Sequence, residues 1–194
     1  MDQQKTGGLI RRLRQEQKLT QRQLAQKLGV GDKAVSKWER GLGCPDVGLL
    51  PALAKALNTG AEQLLRGALD ANETDGGNMK RIQFYFCPQC GNLLTATAPA
   101  QISCCGRPLA PLTAQAPDDA HRLQRETVED ELYLTSPHAM AKDHYLAFVA
   151  LAGFDRVTLV RLYPEQNAEL RLPQPRRGRL YWYCTQHGLF TEQL

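Results

Sequence analysis

All four histidines of this 194-residue chain lie beyond residue 120, where they accompany a single cysteine. Imidazole nitrogens and a thiolate are metal ligands, and five protein ligands are one more than tetrahedral zinc accepts. Four nitrogens with one sulfur suit iron better. The pattern therefore predicts a five-coordinate iron site with one open position, held by His121, His138, His144, Cys184 and His187.

The same part of the chain shows the alternation of apolar and polar residues that is typical of β-strands. The alternation runs through residues 146–152, 157–163 and 180–184, and further strands are expected at 123–128, 132–135 and 169–172. The expected fold of residues 118–194 is an all-β, immunoglobulin-like antiparallel sandwich. The candidate ligands then lie at strand ends and in loops, where functional residues concentrate.

A cysteine-rich segment precedes this region and has the spacing CxxC, thirteen residues, then an adjacent pair of cysteines. Four thiolates so close together form an all-sulfur tetrahedral site, which suits iron or zinc. The adjacent pair argues against simple disulfides, and CxxC spacing in a chain without a signal peptide more often binds metal. The predicted ligands of this small metal knuckle domain are Cys87, Cys90, Cys104 and Cys105.

Basic charge is concentrated in residues 1–66, which carry twelve Lys and Arg against six Asp and Glu, whereas the remainder carries twelve against fourteen. This excess indicates an anionic partner, with nucleic acid first, although a solvated face is the alternative. Apolar residues at helical spacing predict an all-α head. A capping box at Thr20 begins its second helix, Gly29 ends that helix, and a third helix is expected over residues 32–40.

Two helices joined by a short turn, the second of them basic and polar, form the arrangement that places a recognition helix in the major groove of DNA. Side chains near the start of that helix would reach base edges, and residues around it, including Lys18, would reach phosphates. A helical bundle used for protein contacts is the alternative. The candidate DNA-binding residues are Gln21, Arg22, Lys33, Ala34, Ser36, Lys37 and Arg40.

The segments LTQRQLAQKLGV and KAVSKWERG resemble the Cro/cI-type helix-turn-helix family, also called XRE. Gly31 departs from that family, which usually has a serine cap at this position, so the recognition helix is expected to start less firmly. Heads of this kind commonly bind palindromic double-stranded DNA as dimers, and a homodimer is therefore expected.

The cysteine segment resembles the desulforedoxin-like domain that opens desulfoferrodoxins, where the same cysteines bind a rubredoxin-like iron. Residues 118–194 resemble the catalytic domain of superoxide reductases. An HxMxxxHY motif of that family is matched by His138 and His144, and a CxxHG motif is matched by Cys184 and His187. His121 fits the remaining histidine in order and spacing.

This resemblance implies reduction of superoxide to hydrogen peroxide at iron held by four histidines, with electrons from a donor such as a rubredoxin-like protein. Cys184 would be the axial thiolate that pushes electron density toward the open position. The family usually carries Glu-Lys just before the first histidine, whereas this chain has Asp118, Asp119 and Ala120. Arg122 and Asp119 are the candidate replacements for the missing charge and carboxylate.

The expected domains are a helix-turn-helix domain at 1–66, a Gly-, Asn- and Asp-rich flexible linker at 67–78, the desulforedoxin-like iron domain at 79–117 and the superoxide reductase-like sandwich at 118–194. Without an apolar membrane span or signal peptide, the expected location is the cytoplasm. Three functions fit this organisation. They are a DNA-binding oxidoreductase that reduces superoxide, a transcriptional regulator whose iron domain only senses redox state or superoxide, and a zinc-loaded interaction module.

Overall fold

The computed structural model describes residues 2–71, 79–175 and 177–194. The chain forms two compact units, Met1–Ala71 and Asn72–Leu194. Most of the predicted linker, at residues 72–78, lies outside the described residues. No helix among those described combines the length and the apolar character that crossing a membrane requires.

The first unit is helical, and its helices pack around one apolar core that includes Ile10, Leu24, Val35, Leu53 and Leu57. A short 3₁₀ turn at Val47–Leu49 leads into the fourth helix. The α-helices are α1 at Gln3–Glu16, α2 at Gln21–Leu28, α3 at Asp32–Glu39, α4 at Leu50–Ala56 and α5 at Ala61–Arg66.

The ends of α2 lie where local sequence signals predict them. Thr20 accepts from the backbone N–H of Gln23, and the Gln23 side chain accepts from the backbone of Thr20, which completes the capping box. Gly29 closes the helix at φ +67°, a conformation that glycine adopts without strain. Gly31 precedes α3 and offers no side-chain cap, in agreement with its departure from the family pattern.

Helices α1 and α3 approach each other closely at Gly7. A Cβ atom added to Gly7 would overlap the carbonyl oxygen of Trp38, whereas a Cβ at Gly8 would meet no atom within 4 Å. The absence of a side chain at Gly7 therefore lets α3 pack against α1.

The second unit is rich in β-structure. A five-stranded sheet has the order β5-β12-β11-β8-β9, a three-stranded sheet has the order β10-β7-β6, and β1-β2 and β3-β4 form two hairpins. Neighbouring strands are antiparallel, except for the parallel pair of β5 and β12. The strands are β1 Gln83–Phe86, β2 Leu93–Ala96, β3 Ile102–Cys104, β4 Arg107–Leu109, β5 Ala114–Gln115, β6 Gln124–Val128, β7 Glu131–Thr135, β8 Leu146–Ala152, β9 Val157–Arg161, β10 Glu169–Pro173, β11 Arg179–Cys184 and β12 Gly188–Gln193.

The two larger sheets enclose a core around Trp182, to which Leu134 and Leu172 contribute from the smaller sheet. The opposite face of the five-stranded sheet is also covered, because Phe84 of β1 packs against Phe148 and Tyr181, with ring centroids 5.3 and 5.2 Å apart. Every residue of the central strand β8 is consequently buried. The cysteine-rich segment and the sandwich thus share a core within this unit.

Candidate metal centre

Five predicted ligands meet at one end of the sandwich, each placed by a strand end or a loop beside it. His121 precedes β6, His138 follows β7, and His144 precedes β8. Cys184 is the last residue of β11, and His187 lies in the tight turn to β12, in which Cys184 pairs directly with Gly188. Paired strands thus fix the points from which these side chains converge.

The distances between ligand atoms are short. One ligand atom from each of His121, His138, His144 and Cys184 lies within 4.8 Å of the others. His187 Nδ1 lies 3.4 Å from Cys184 Sγ and 3.0 Å from His121 Nε2. All five residues are therefore brought together, with His187 presenting Nδ1 and His121 presenting Nε2 to the group.

The loop between His138 and His144 is held by Met140, which lies between them in the motif. The backbone N–H of Leu146 donates to Met140 Sδ at 3.4 Å, and the N–H of Glu165 donates to the Met140 carbonyl at 2.7 Å. The methionine therefore ties the ligand-bearing loop to both β8 and the segment before β10.

Several ring nitrogens of this group have no hydrogen-bond partner among the described residues. Both ring nitrogens of His138 and Nε2 of His144 are buried and lack such a partner. A buried polar atom without a partner costs about 1–3 kcal/mol, and a metal ion would accept the lone pair of one nitrogen in each of these rings. Burial, followed by the neighbouring imidazoles His144 and His121, lowers the pKa of His138 to about 4. The imidazole is thus neutral at physiological pH, as a metal ligand must be.

His121 is held on the side away from the other ligands. Its Nδ1 lies 2.5 Å from Asp118 Oδ1, and its backbone N–H donates to the same oxygen at 2.9 Å. The hydrogen bond from His121 lowers the pKa of the Asp118 carboxyl. The ring stacks on Phe190 at 4.5 Å, and Trp182 Nε1 donates to the His121 carbonyl at 2.7 Å.

Asp119 and Arg122, the candidate replacements for the family's carboxylate and lysine, lie beside each other at the surface, and the sequence predicted no role for Asp118. The side chain of Asp119 is 99% exposed, and its contact is with Arg122 at 3.7 Å. Asp118 is the carboxylate that touches the histidine. Its position three residues before His121, with a side chain that accepts the His121 N–H, is the local signal that could have identified it.

The four predicted cysteine ligands also converge, because their sulfur atoms lie within 4.8 Å of one another. The sulfurs of Cys90 and Cys104 are 3.5 Å apart, and Asn92 donates to Cys104 Sγ at 3.7 Å. Gly91 at φ +69° and Gly106 at φ +74° follow the two knuckles and allow their tight turns.

The cysteine pKa values diverge because the thiols are so close together. The backbone N–H of Cys90 lowers the pKa of Cys87 to about 7, whereas hydrogen bonding with Cys90 and Cys87 raises the pKa of Cys105 to about 12. Like charges this close cannot all form without a cation, which a metal would supply. The donor set therefore fits a metal ion and leaves open whether it is iron or zinc.

The predicted DNA-binding residues lie on and beside the recognition helix α3. Arg22, Lys33, Lys37 and Arg40 are exposed, whereas Ser36 and Gln21 are half-buried. Ala34 is also half-buried and packs against the helical core. An open cavity of about 590 Å³ separates the starts of α2 and α3. It is lined by Arg14, Thr20, Gln21, Arg22, Asp32, Lys33 and Ser36.

A buried ion pair, which sequence reasoning missed, supports this surface. Arg14 donates to both carboxylate oxygens of Glu39, at 2.5 and 3.0 Å, and to the carbonyl of Leu19 at 2.6 Å. The amide of Gln21 donates to Glu39 Oε2 at 2.8 Å. Glu39 of α3 thus connects its own helix to α1 and α2, and the Gln21 side-chain amide already donates a hydrogen bond within the protein.

Comparison with known proteins identifies the first unit. Residues 10–64 match the helix-turn-helix family. The HTH-type transcriptional activator BcrR of Enterococcus faecalis is 37% identical over 80 residues, which are 40% of this chain and 39% of BcrR. An uncharacterised HTH-type transcriptional regulator of Mycobacterium tuberculosis is 40% identical over 70 residues, which are 35% of this chain and 50% of that protein. The chain therefore spans two fifths to one half of the length of these relatives, and its first unit is an XRE-type domain.

The second unit is similar to a solved structure. The superoxide reductase from Treponema pallidum matches with a TM-score of 0.50 and 17% sequence identity, covering 57% of this chain and 97% of that chain. At this identity the likeness establishes the fold, and the β-rich unit has a superoxide reductase-like fold.

Proposed function

We propose that this protein is a DNA-binding regulator that carries an iron module able to reduce superoxide to hydrogen peroxide. The observation that carries the proposal is the convergence of His121, His138, His144 and Cys184 within 4.8 Å, with His187 alongside them. The buried ring nitrogens of His138 and His144 that have no partner among the described residues favour a metal ion at this cluster. The superoxide reductase-like fold supports the choice of iron.

The five side chains would hold the iron, four through imidazole nitrogens and Cys184 through its thiolate. Iron bound there would supply the one electron that superoxide requires and would be re-reduced by an external donor. Cys184 is fully buried, so its thiolate is kept away from solvent. His187 is exposed and His144 half-buried, so a small anion can approach the cluster from the side opposite the protein core.

The cations near the ligand loops are each accompanied by a carboxylate. Arg122 lies 3.7 Å from Asp119, and Lys142, in the loop between His138 and His144, lies 3.9 Å from Glu165. A carboxylate beside a cation weakens the field that attracts an anion. We therefore expect slower association with superoxide than at a site with a free lysine.

For the four-cysteine group we propose a desulforedoxin-like iron site, with zinc as the competing occupant. The metal-binding domain would cover residues 79–117, and the immunoglobulin-like sandwich would cover 118–194. Visible and EPR spectra of aerobically and anaerobically purified protein distinguish the two metals at this site, because zinc is silent in both. A colourless protein containing only zinc would contradict both iron assignments.

The enzymatic proposal is tested by mixing reduced, iron-loaded protein with superoxide in a stopped-flow instrument. We expect rapid oxidation of the iron at the histidine-cysteine cluster and formation of hydrogen peroxide. A Cys184→Ser variant, which should lose the iron of this cluster and keep the four-sulfur site, provides the matched control. An iron-loaded wild-type protein that superoxide does not oxidise would rule out the enzyme.

A sensor is the second candidate function, and the observation that favours it is the XRE-type domain on the same chain. A signal requires that the two iron states differ in their free energy of DNA binding. Affinity for one duplex should therefore be measured with the iron ferrous and then ferric, at a fixed salt concentration. Equal affinity in the two states would contradict the sensor and leave the enzyme untouched.

DNA binding itself can be tested at the recognition helix. Lys33→Ala and Lys37→Ala should each weaken binding to a duplex, and a lysine that contacts phosphate should reduce the salt slope by about 1. Lys55→Ala, at an exposed position of α4, is the control and should leave the affinity unchanged. Sedimentation of the DNA complex would test the proposed homodimer. Unchanged affinity in both α3 variants would argue against this helix as the DNA-reading element.

A further inference from the structure

His121 lies between the ligand cluster and a carboxylate. Its Nε2 is 3.0 Å from His187 Nδ1, on the side of the cluster, and its Nδ1 is 2.5 Å from Asp118 Oδ1 on the other side. An ionised carboxylate accepts hydrogen bonds and cannot donate them. The contact therefore places the imidazole proton on Nδ1 and leaves the Nε2 lone pair available to a metal.

The backbone N–H of His121 also contacts Asp118, through two acceptor atoms of that residue. The same Oδ1 atom accepts the backbone N–H of His121 at 2.9 Å, and the Asp118 carbonyl accepts that N–H at 3.2 Å. The carboxylate therefore belongs to a turn that also sets the direction of the histidine. Among the described residues, Asp118 is the only carboxylate recorded in an ion pair with a histidine.

We infer that Asp118 is a positioning residue for His121. The carboxylate fixes the ring so that Nε2 faces the metal, and it makes the imidazole a stronger electron-pair donor to that metal. The inference rests on the proposed iron site. Such partners of metal-bound histidines orient the ring and raise its basicity, and their loss typically reduces metal affinity or activity about 10–100-fold. A negative charge beside the imidazole also favours ferric over ferrous iron, because the ferric ion carries the larger positive charge.

Two contacts hold His121 in place independently of this carboxylate. The His121 ring is stacked on Phe190, and the His121 carbonyl accepts the Trp182 N–H. Neither contact involves Asp118, so both remain when Asp118 is substituted. The side chain of Asp118 is 65% exposed, and replacing it empties no part of the core. Asp130 is also exposed, lies in the turn between β6 and β7 at the far end of that hairpin from His121, and provides a control carboxylate.

The test compares full-length, iron-loaded wild-type protein with Asp118→Asn, Asp118→Ala and Asp130→Asn. The midpoint potential of the histidine-cysteine iron is followed by its visible absorption, and iron affinity is measured by chelator competition. Asp118→Asn keeps an oxygen acceptor for Nδ1–H but loses the charge. We expect a tenfold shift of the ferric–ferrous equilibrium toward ferrous iron, which raises the potential by about 59 mV for one electron. Asp118→Ala, which loses acceptor and charge, should bind iron about 10–100-fold more weakly, and Asp130→Asn should match the wild type.

A second measurement does not depend on the variants or on iron. Long-range ¹H–¹⁵N spectra of the metal-free wild-type protein report the tautomer of each histidine, and we expect His121 to carry its proton on Nδ1. A proton on Nε2 would overturn the inference. Equal potentials and affinities in all four iron-loaded proteins would also overturn it while leaving the proposed function standing. A wild-type protein that takes no iron at the cluster would overturn the proposed function and, with it, the role of Asp118.

Discussion

The ring of Tyr183 packs against the ring of Phe86, with ring centroids 4.7 Å apart. Tyr183 directly precedes Cys184, and Phe86 directly precedes Cys87, so this contact joins the two strands that lead into the two metal-ligand groups. Arg161 adds a second link, because it donates to the carbonyl of Gly91 at 3.0 Å and lies over the ring of Phe86. The cysteine-rich segment is therefore packed against the sheet that ends at the histidine cluster.

Removing the ring of Phe84 should destabilise the whole second unit. Phe84 is 1% exposed and contacts Phe148 and Tyr181, and Phe→Ala substitutions in a core cost about 3–5 kcal/mol. Urea unfolding of Phe84→Ala, followed by tryptophan fluorescence, measures this loss. Phe154→Ala is the control, because Phe154 is 70% exposed and should change stability by less than about 0.5 kcal/mol. Similar effects at both positions would contradict the shared core.

Alanine substitutions at the adjacent glycines Gly7 and Gly8 of α1 should change the stability of the helical unit in opposite directions. Gly7→Ala forces a methyl group into the Trp38 carbonyl and should destabilise the helical unit by about 1–3 kcal/mol. Gly8→Ala meets open space in the same helix and should stabilise it by up to about 1 kcal/mol. Thermal unfolding followed by circular dichroism compares the two variants, and equal melting temperatures would refute the close approach of α1 and α3.

Single cysteine substitutions should remove the two metals independently. Cys90→Ser breaks the four-sulfur group, and Cys184→Ser removes the one sulfur from the histidine group. Each variant should lose the metal of its own site and keep the spectrum of the other, because all-thiolate and mostly imidazole iron absorb differently. Metal analysis with visible spectroscopy checks this outcome. If Cys90→Ser erased both spectra, the sites would depend on each other for folding.

Acid should destabilise the metal-free protein through His138. Its folded pKa is about 4, below the usual 6.5, because burial disfavours the imidazolium. The unfolded chain therefore takes up this proton first as the pH falls. The stability that depends on a neutral His138 is fully present above about pH 6.5 and is lost progressively toward pH 4. Urea unfolding should show that the free energy of unfolding falls more between pH 7 and pH 5 for the wild type than for His138→Gln. An equal loss in both proteins would exclude His138 as the source.

Local signals in the sequence predicted the local features of the fold. The capping box at Thr20 and the glycine at position 29 each act through neighbouring residues, and the structure confirms both. The expected strands at 146–152 and 180–184 are present for the same reason, because their side-chain pattern follows from the strand itself. The predicted helix at 32–40 ends one residue earlier, at Glu39.

Long-range packing was harder to predict. The sequence of β8 could not show that its second face is covered, because the cover comes from Phe84 more than sixty residues earlier. The ion pair of Arg14 with Glu39 connects α1 to α3 and leaves no short motif. The contact of Asp118 with His121 was not predicted, because adjacent residues point in different directions and only the turn decides which side chain faces the ring.

The hairpin of β11 and β12 is expected to bring two of the candidate ligands together early in folding. It carries Cys184 and His187 on one tight turn, and hairpins of this kind form in about 1–10 μs. His121 and His138 arrive only when distant segments have closed the sandwich, which is slower because long loops must be ordered first. Two ligands are thus present early, but the full set exists only in the finished fold. Iron bound at the proposed site would therefore report the fraction of chains that have completed folding.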